Sequence, residues 1–174
     1  MAGDGVVIRP MSIEDAEGFN RVVGVVARER RYLRVVDAFP MNASLAFLRN
    51  GLAAGNVHLA AVLGDEVVGW CDICRHDLET EAHAGVLGIG LLPDYRGRGL
   101  GKALLDAAIA AADQRHFRRI ELTVFADNLR AMALYEKTGF VREGVMRAAR
   151  YLGPDDYRDV VLMARLDPRI VAAQ

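Results

Sequence analysis

Two spacings of apolar residues alternate along the chain, and each change of spacing predicts a new element of secondary structure. The apolar, β-branched run at 6–9 is closed by a proline and predicts a short strand. Apolar positions then recur every three or four residues and predict a helix over about 12–30. After an irregular stretch, a second helix is expected, capped by Asn42 or Ser44 and stopped at Gly55.

The middle of the chain carries strand signals, followed by a glycine-rich loop that leads into a helix. Runs at 57–63 and 66–74 predict a hairpin, because the Gly-Asp pair between them tolerates the positive φ of a two-residue turn. A third strand is predicted at 85–92. A helix from Gly99 to about His116 is expected to follow the loop.

The last part of the chain predicts a strand at 119–125, a helix at 128–138 and a closing pair of strands at about 140–149 and 157–166. The full order is β-α-α-β-β-β-α-β-α-β-β. This order places the chain in the α/β (α+β) class. No repeat, low-complexity tract or linker interrupts it.

Length and composition agree with this organisation. The 174 residues are 52% apolar and can bury a sizeable core, so we expect one domain over 1–166 and a loose tail at 167–174. The 22 Lys and Arg nearly balance the 23 Asp and Glu, which disfavours a nucleic acid or an anionic membrane as partner. No leader pattern and no membrane-length apolar run is found, so we expect a cytoplasmic protein, with a homodimer left open.

Cys71 and Cys74 form a C-x-x-C pair but do not predict a metal site. No second pair completes a zinc ligand set, and in a strand residues three apart point to opposite faces. We therefore expect two free thiols and no bound metal.

The segment 92–102 carries the strongest chemical signal. Gly97, Gly99 and Gly101 precede or open a predicted helix, so unshielded backbone N–H groups meet the positive end of a helix dipole. Such a point binds phosphate. Three neighbouring cations can add charge there: Arg96, Arg98 and Lys102.

Spacing distinguishes three kinds of phosphate loop. A Walker A loop would need a glycine where Arg96 stands and a Ser or Thr where Ala103 stands. A dinucleotide fingerprint lacks its acidic residue about twenty positions further on. The pattern [Q/R]-x-x-G-x-[G/A] fits from Arg96 to Gly101, and it resembles the pyrophosphate loop of the GNAT superfamily of acetyl-CoA-dependent N-acetyltransferases.

A second block at 127–140 strengthens the resemblance. It matches the superfamily's N-x-x-A-x-x-x-Y-x-x-x-G-F segment at every defined position: Asn128, Ala131, Tyr135, Gly139 and Phe140. Either block alone is also compatible with an ordinary amphipathic helix, but both occur in the right order with one strand between them. The element order is that of the GNAT fold as well. The resemblance therefore implies a mixed, mostly antiparallel sheet with splayed strands, flanked by helices.

The resemblance also implies an enzyme, with acetyl-CoA as cosubstrate. Backbone N–H groups would bind the pyrophosphate, and the main chain of the preceding strand would bind the pantetheine arm and the thioester oxygen. Tyr135 would protonate the departing sulfur, although a core aromatic is the alternative for this residue. The implied cofactor-binding residues are Gly90, Leu91, Leu92, Arg96, Gly97, Arg98, Gly99, Leu100, Gly101, Lys102, Asn128 and Tyr135.

No carboxylate is found where many relatives carry their general base. The strand before the loop is apolar, and the strand after it offers only Glu121 followed by Thr123. His83, Asp72 and Glu121 are the candidates, of which His83 has the most suitable ordinary pKa. We expect His83 to be the catalytic partner of the tyrosine, unless the amine arrives partly deprotonated and needs no dedicated base.

Further segments resemble a bacterial branch that acetylates amino acids or related small amines. Four residues could bind the carboxylate of such an acceptor: Arg31, Tyr32, Arg147 and Tyr151. The expected function is transfer of acetyl from acetyl-CoA to a small primary amine. Two alternatives remain, acetylation of a protein N-terminus or lysine, and a non-catalytic acetyl-CoA-binding module.

Overall fold

The computed structural model describes residues 5–172, which form a mixture of strands and helices. The strands are β1 (Val6–Pro10), β2 (Val57–Leu63), β3 (Glu66–Arg75), β4 (Ala84–Leu91), β5 (Arg119–Phe125), β6 (Val141–Gly153) and β7 (Asp156–Leu166). The helices are α1 (Ala16–Arg28), α2 (Met41–Ala53), α3 (Leu100–Gln114), α4 (Leu129–Lys137) and α5 (Pro168–Val171). The seven strands form one sheet in the order β1-β2-β3-β4-β5-β7-β6. Among the strand pairs within residues 5–172, only β4–β5 is parallel.

The predicted order of elements is confirmed, but two ends differ. Helix α2 begins at Met41 after Pro40, not at Asn42 or Ser44. The Ser44 hydroxyl instead donates to Asn20 Oδ1 at 2.9 Å, so a contact with α1 uses the group that was expected to cap the helix. Strand β6 continues to Gly153 because its pairing with β7 persists up to the turn.

The C-terminal segment is more ordered than the predicted loose tail. Asp167 is buried, and its carboxylate pairs with Arg118 and Arg169. It also accepts the Arg169 N–H and so caps α5. These contacts hold the chain to the sheet beyond β7. Residues 1–4 and 173–174 lie outside the described part. Within residues 5–172, no helix is long and apolar enough to cross a membrane.

Helices cover both faces of the sheet. The core beneath α1 and α2 contains Phe19 and Trp70, whereas the core beneath α3 and α4 contains Ile73 and Cys71. Side chains alternate along β3, so Cys74 faces the α1–α2 side. Both cysteines are free thiols on opposite faces of the sheet, as predicted.

Strands β4 and β5 separate after a short paired stretch. β4 pairs with β3 along its length, but its pairing with β5 ends at Val86↔Glu121. Glycines on β4 let β3 side chains lie over its backbone, because a Cβ at Gly90 would come within 2.3 Å of the Trp70 ring. The splay expected from the family resemblance is confirmed, and the site described next occupies the opening.

Candidate active site

The glycine-rich loop presents backbone groups at the start of α3. Gly97 and Gly99 both have φ of +81°, a conformation that side chains rarely adopt. A Cβ at Gly99 would meet no atom within 4 Å, so the space in front of the loop is open. The first N–H groups of α3 lack partners within the helix. This arrangement fits the predicted phosphate cradle.

The cations near the loop are not all free to bind phosphate. Arg96 makes a two-pronged ion pair with Glu29 at 2.6 and 2.9 Å, and its Nε donates to Leu91 O at 2.9 Å. Its guanidinium also lies 4.9 Å from the Tyr32 ring centre. Arg96 therefore joins the loop to the end of α1, and its guanidinium is already engaged.

Other cations lie around the same groove. Lys102 pairs with Asp106 at 2.5 Å on the exposed face of α3, and Arg98 is exposed. Arg31 and Arg130 line the groove, although no sequence motif marks them as phosphate ligands. Only the tertiary fold brings these two beside the glycines.

The direction of the β4 peptide groups decides which of them face the splay. Leu92 N–H donates to Val68 O, across β3–β4. Peptide groups alternate in direction along an antiparallel strand, so the groups of Gly90 point toward β3 as well. Those of Ile89 and Leu91 point toward β5. Of the three main-chain positions expected to bind cofactor, the structure directs only Leu91 into the opening, and it adds Ile89.

Asn128 and Tyr135 lie on α4 beside this opening. The Asn128 side chain is the N-cap of α4, accepting Ala131 N–H at 3.2 Å, which leaves its amide N–H groups available. Tyr135 is 8% exposed and packs against Phe140 with ring centres 5.8 Å apart. Burial raises the pKa of the Tyr135 hydroxyl, so it holds its proton at neutral pH.

Two cavities meet at Tyr135. We call the first the phosphate groove; it measures about 590 Å³ and is lined by Gly97, Gly99, Gly101, Asn128 and Arg130 among others. The second, the aromatic cavity, measures about 660 Å³ and is lined by residues that include Phe19, Phe39, Phe47, Trp70, Asp72 and Arg150. Four residues line both: Tyr32, Ile89, Thr123 and Tyr135. A ligand extending along the groove would reach the cavity at this junction.

Asp72 contributes a carboxylate to the aromatic cavity. It lies over Gly88, where a Cβ would be 3.0 Å from Asp72 Oδ1, so the glycine leaves the space that the carboxylate occupies. Burial raises the pKa of Asp72 to about 7, partly offset by hydrogen bonding from Trp70 and Cys74. A carboxyl group of this kind can take up or release a proton near neutral pH.

The expectation that no carboxylate stands at the usual place of the base did not take this position into account. It rested on the strands on either side of the loop, β4 and β5, whereas Asp72 lies on β3. It reaches the site only because β3 pairs with β4 in a register that sets Asp72 opposite Gly88. This pairing is not visible in any local motif.

The other base candidates lie elsewhere. His83 is exposed and precedes β4 at its far end, about 26 Å along the chain from Leu91. It lines neither of the two cavities. Glu121 accepts from Arg119 Nε at 2.8 Å and lies 3.1 Å from His76 Nε2. Its carboxylate is committed to that network. The geometry therefore favours Asp72 over His83 as a base.

Of the four residues predicted to bind the acceptor, two line the cavities and two do not. Tyr32 lines both cavities, and Arg31 lines the phosphate groove. Arg147 and Tyr151 line neither cavity; the Tyr151 ring packs at a tilt against Tyr157 on the exposed hairpin, with ring centres 5.4 Å apart. The sequence analysis missed Arg150, whose Nη2 donates to Thr123 Oγ1 at 3.3 Å inside the aromatic cavity.

Sequence comparison finds related acetyltransferases. The sequence profile of the acetyltransferase (GNAT) family matches residues 25–140. The chain is 34% identical over 105 residues to the uncharacterized N-acetyltransferase YycN of Bacillus subtilis, covering 59% of this chain and 67% of that protein. It is 34% identical over 113 residues to the L-amino acid N-acetyltransferase AaaT of Escherichia coli, covering 64% and 69%. The [Ribosomal protein bS18]-alanine N-acetyltransferase of Escherichia coli is 38% identical over 81 residues, and the match spans about half of each chain, 47% and 54%.

Solved structures share the fold. The acetyltransferase of the GNAT family from Streptococcus pneumoniae superposes with a TM-score of 0.86 at 29% identity, over 93% of this chain and 99% of that one. YncA from Salmonella typhimurium, solved with its cofactor acetyl-CoA, superposes with a TM-score of 0.87 at 15% identity, over 94% of both chains. The second likeness supports the fold alone.

These findings confirm the fold and the enzyme class expected from the two sequence blocks, with acetyl-CoA as the cosubstrate of the family. The match includes the glycine-rich loop, β5 and α4, the elements that line the phosphate groove. This chain belongs to the GNAT family of acetyltransferases.

Proposed function

We propose that this enzyme transfers the acetyl group of acetyl-CoA to the primary amine of a small molecule, an amino acid or a related amine. One observation carries the proposal. A groove with a glycine phosphate cradle meets a separate cavity containing a carboxylate, and the two join at Tyr135. Acyl transfer between two ligands needs such a junction, with a proton acceptor on one side and a proton donor at the meeting point.

The phosphate groove has the features that acetyl-CoA requires. The pyrophosphate fits the open cradle at Gly97, Gly99 and the first turn of α3, with Arg31 and Arg130 beside it. The pantetheine arm fits the splay, where peptide groups of Ile89 and Leu91 face it. When bound there, acetyl-CoA supplies an activated acetyl thioester at the junction.

Asp72 is the proposed proton acceptor. An acceptor amine enters as an ammonium ion, and its nitrogen must lose a proton before its lone pair can attack the thioester carbon. The Asp72 carboxylate takes that proton. Among its neighbours, burial raises the pKa of Cys74 and of Tyr135 and lowers that of His58, the cross-strand neighbour, to about 4. Of these buried groups, Asp72 is the one whose pKa lies near 7.

The junction stabilises and completes the transfer. As the nitrogen–carbon bond forms, negative charge develops on the carbonyl oxygen, and backbone N–H groups of β4 facing the splay can bind it. As the carbon–sulfur bond breaks, Tyr135 donates its proton to the sulfur. The remaining proton on nitrogen returns to the Tyr135 oxygen, directly or through water, and Asp72 releases its proton to solvent, which leaves an amide, a free thiol and both side chains restored.

The shape of the aromatic cavity supports a small acceptor. The loop between α1 and α2 contributes Leu33, Val35 and Phe39 to its wall, over the sheet face that carries Asp72. A flexible protein N-terminus would have to pass this loop. The amino acid enzyme AaaT is among the relatives, but so is the enzyme for a ribosomal protein, so a protein acceptor is the main competing outcome.

A substrate panel tests the proposal. Release of free thiol from acetyl-CoA would be followed with amino acids, polyamines and short peptides at equal concentration. We expect turnover with amino acids or related small amines. Turnover of peptides alone would overturn the small-molecule assignment.

The cytoplasmic location and the homodimer stay predictions.

A further inference from the structure

The aromatic cavity is unusually rich in large apolar side chains for a site that receives an ammonium ion. Phe19, Phe39, Phe47 and Trp70 are among its lining residues, and three of these rings contact one another: Phe19 stacks on Phe47 at 6.0 Å and meets Trp70 edge-on at 5.8 Å. Phe39 and Phe47 are 51% and 41% exposed. These two rings leave apolar surface open to whatever enters the cavity.

The charged side chains of the cavity lie apart from these aromatic rings. Asp72 lies beside Gly88 on β4, and Thr123 stands across the splay on β5. Gly88 and Thr123 lie two residues beyond the pair Val86↔Glu121, so their side-chain directions match. Arg150 reaches this row from β6 and donates to the Thr123 hydroxyl at 3.3 Å. The strand pairing therefore places the Asp72 carboxylate on the β4 side of the opening and the Arg150 guanidinium on the β5 side.

Arg150 has unused binding capacity. A guanidinium carries five N–H donors, and those of Arg150 with a protein partner go to Thr123 Oγ1 and to Ala149 O. Within residues 5–172, no Asp or Glu carboxylate lies within 4.0 Å of it. A half-buried guanidinium bonded only to neutral oxygens favours an incoming carboxylate.

We propose that the acceptor is an α-amino acid with a large apolar side chain. Its ammonium lies at Asp72, its carboxylate at Arg150 and its side chain against Phe39 and Phe47. The inference rests on the proposed function, which it narrows from small amines to one class. It also makes Arg150 and Thr123 specificity determinants, a role that no sequence motif indicated.

Other small amines match the cavity less well. A polyamine would need a second anion, but Asp72 is the only carboxylate among the lining residues, which also include the cations Arg34 and Arg150. A very small amino acid would satisfy the charges and leave the aromatic wall exposed to water. Only a zwitterion with an apolar side chain matches both features.

The test crosses two substrates with two variants. L-Phenylalanine and phenethylamine share the ring and the amine and differ by the carboxylate. We expect the wild-type protein to prefer phenylalanine by about 10-fold or more in kcat/KM. Arg150→Gln should raise KM for phenylalanine about 10-fold while leaving phenethylamine nearly unchanged. Arg142→Gln, on the same strand but outside the cavity and paired with Glu136, is the matched control and should keep the preference.

A second comparison, of L-alanine with L-phenylalanine, tests the role of the aromatic side chains that line the cavity. L-Alanine should be a poorer substrate than L-phenylalanine by about 10²-fold in kcat/KM. Phe39→Ala, at an exposed position that the fold tolerates, should narrow that gap. Leu78→Ala, at another exposed position that lines neither cavity, should leave the gap unchanged.

Each outcome decides a separate point. Equal use of alanine and phenylalanine, or an Arg150→Gln effect that is the same for both amines, would overturn the inference while leaving amine acetylation intact. If acetyl-CoA binds but no amine releases thiol, the proposed function itself fails.

Discussion

The phosphate groove and the aromatic cavity share four residues but are built from different parts of the chain. The groove takes its essential contacts from backbone groups of one continuous segment, β4 to the first turn of α3, with α4 beside it. The cavity is built mostly from side chains dispersed over α1, α2, the loop between them and the strands β3 to β7, with Tyr135 on α4. Backbone recognition dictates where glycines must stand and therefore produces a motif. Recognition by dispersed side chains leaves no such pattern.

The largest effect is expected when a side chain blocks the backbone groups of the phosphate groove. Gly101→Val should weaken acetyl-CoA binding at least about 10²-fold, because the methyl groups would occupy the groove in front of the loop; losing one or two charge-assisted hydrogen bonds has that magnitude. A Cβ at Gly101 lies 3.6 Å from Leu91 and 3.8 Å from Leu134, ordinary contact distances, so the fold should survive. Isothermal titration calorimetry measures the affinity.

Gly144→Val is the control for that variant. Gly144 lies on β6 with no atom within 4 Å of an added Cβ, so binding should be unchanged. Undiminished affinity in a folded Gly101→Val protein would show that the loop is not the cradle.

The junction between the two regions is tested at Tyr135. Tyr135→Phe keeps the buried ring and removes the proton donor, so kcat should fall about 10²-fold while the acetyl-CoA dissociation constant stays nearly constant. Steady-state kinetics beside a binding titration separates the two. Tyr157→Phe, on the exposed hairpin, should leave kcat unaffected. Equal kcat in Tyr135→Phe and wild type would make Tyr135 a packing residue.

The aromatic cavity is tested through the dependence of kcat/KM on pH, which should reflect the titration of Asp72. The pKa of Asp72 lies at about 7, and the carboxylate is the form that accepts a proton, so kcat/KM should rise with pH through an inflection near 7. Asp72→Asn should remove the inflection and lower kcat/KM by roughly 10²-fold at pH 8. The loss should be much smaller at pH 5.5, where the wild-type group is mostly protonated.

Asp65→Asn, in the exposed turn between β2 and β3, should keep the wild-type profile. An inflection that persists in Asp72→Asn but vanishes in His83→Ala would restore the histidine as base.

The smallest expected effect concerns the contact that joins the two regions. Glu29→Gln weakens the ion pair through which Arg96 ties the phosphate loop to the end of α1, next to Tyr32. Both KM values should rise together by about 5-fold, since a half-buried pair of this kind contributes about 1 kcal/mol. Asp37→Asn weakens an exposed ion pair with Arg28 and should change neither KM. A change in only one KM would mean that the two regions are not coupled here.

Much of the fold could be predicted from the sequence because its elements have regular apolar periods. The hairpin β2–β3 is an example, with Gly64 at a φ of +58° in the predicted turn. Element ends were less predictable: Ser44 was expected to cap α2, but its hydroxyl bonds Asn20 on α1. Asp167 was assigned to a loose tail because its partner Arg118 stands 49 positions away.

The candidate site shows the same division. The glycines of the loop, Asn128 and Tyr135 were all found from spacing, and the structure brings them to one groove. Asp72 was named as one candidate but set below His83, since an ordinary pKa favours histidine. Burial over Gly88 raises the pKa of the Asp72 carboxyl, which supports the proposal that Asp72 is the base. Arg96 looked like a phosphate ligand until the fold brought Glu29 to it.

The sequence by itself determined the family, the order of elements and the cofactor loop, because these depend on local backbone conformation and on the spacing of apolar residues. Only the tertiary structure decided which acid enters the cavity, which peptide groups face the splay and which arginines are free. Those properties depend on strand register and on burial, which bring together Asp72, Thr123 and Arg150 from three separate strands. Neither register nor burial can be read from any one segment of the chain.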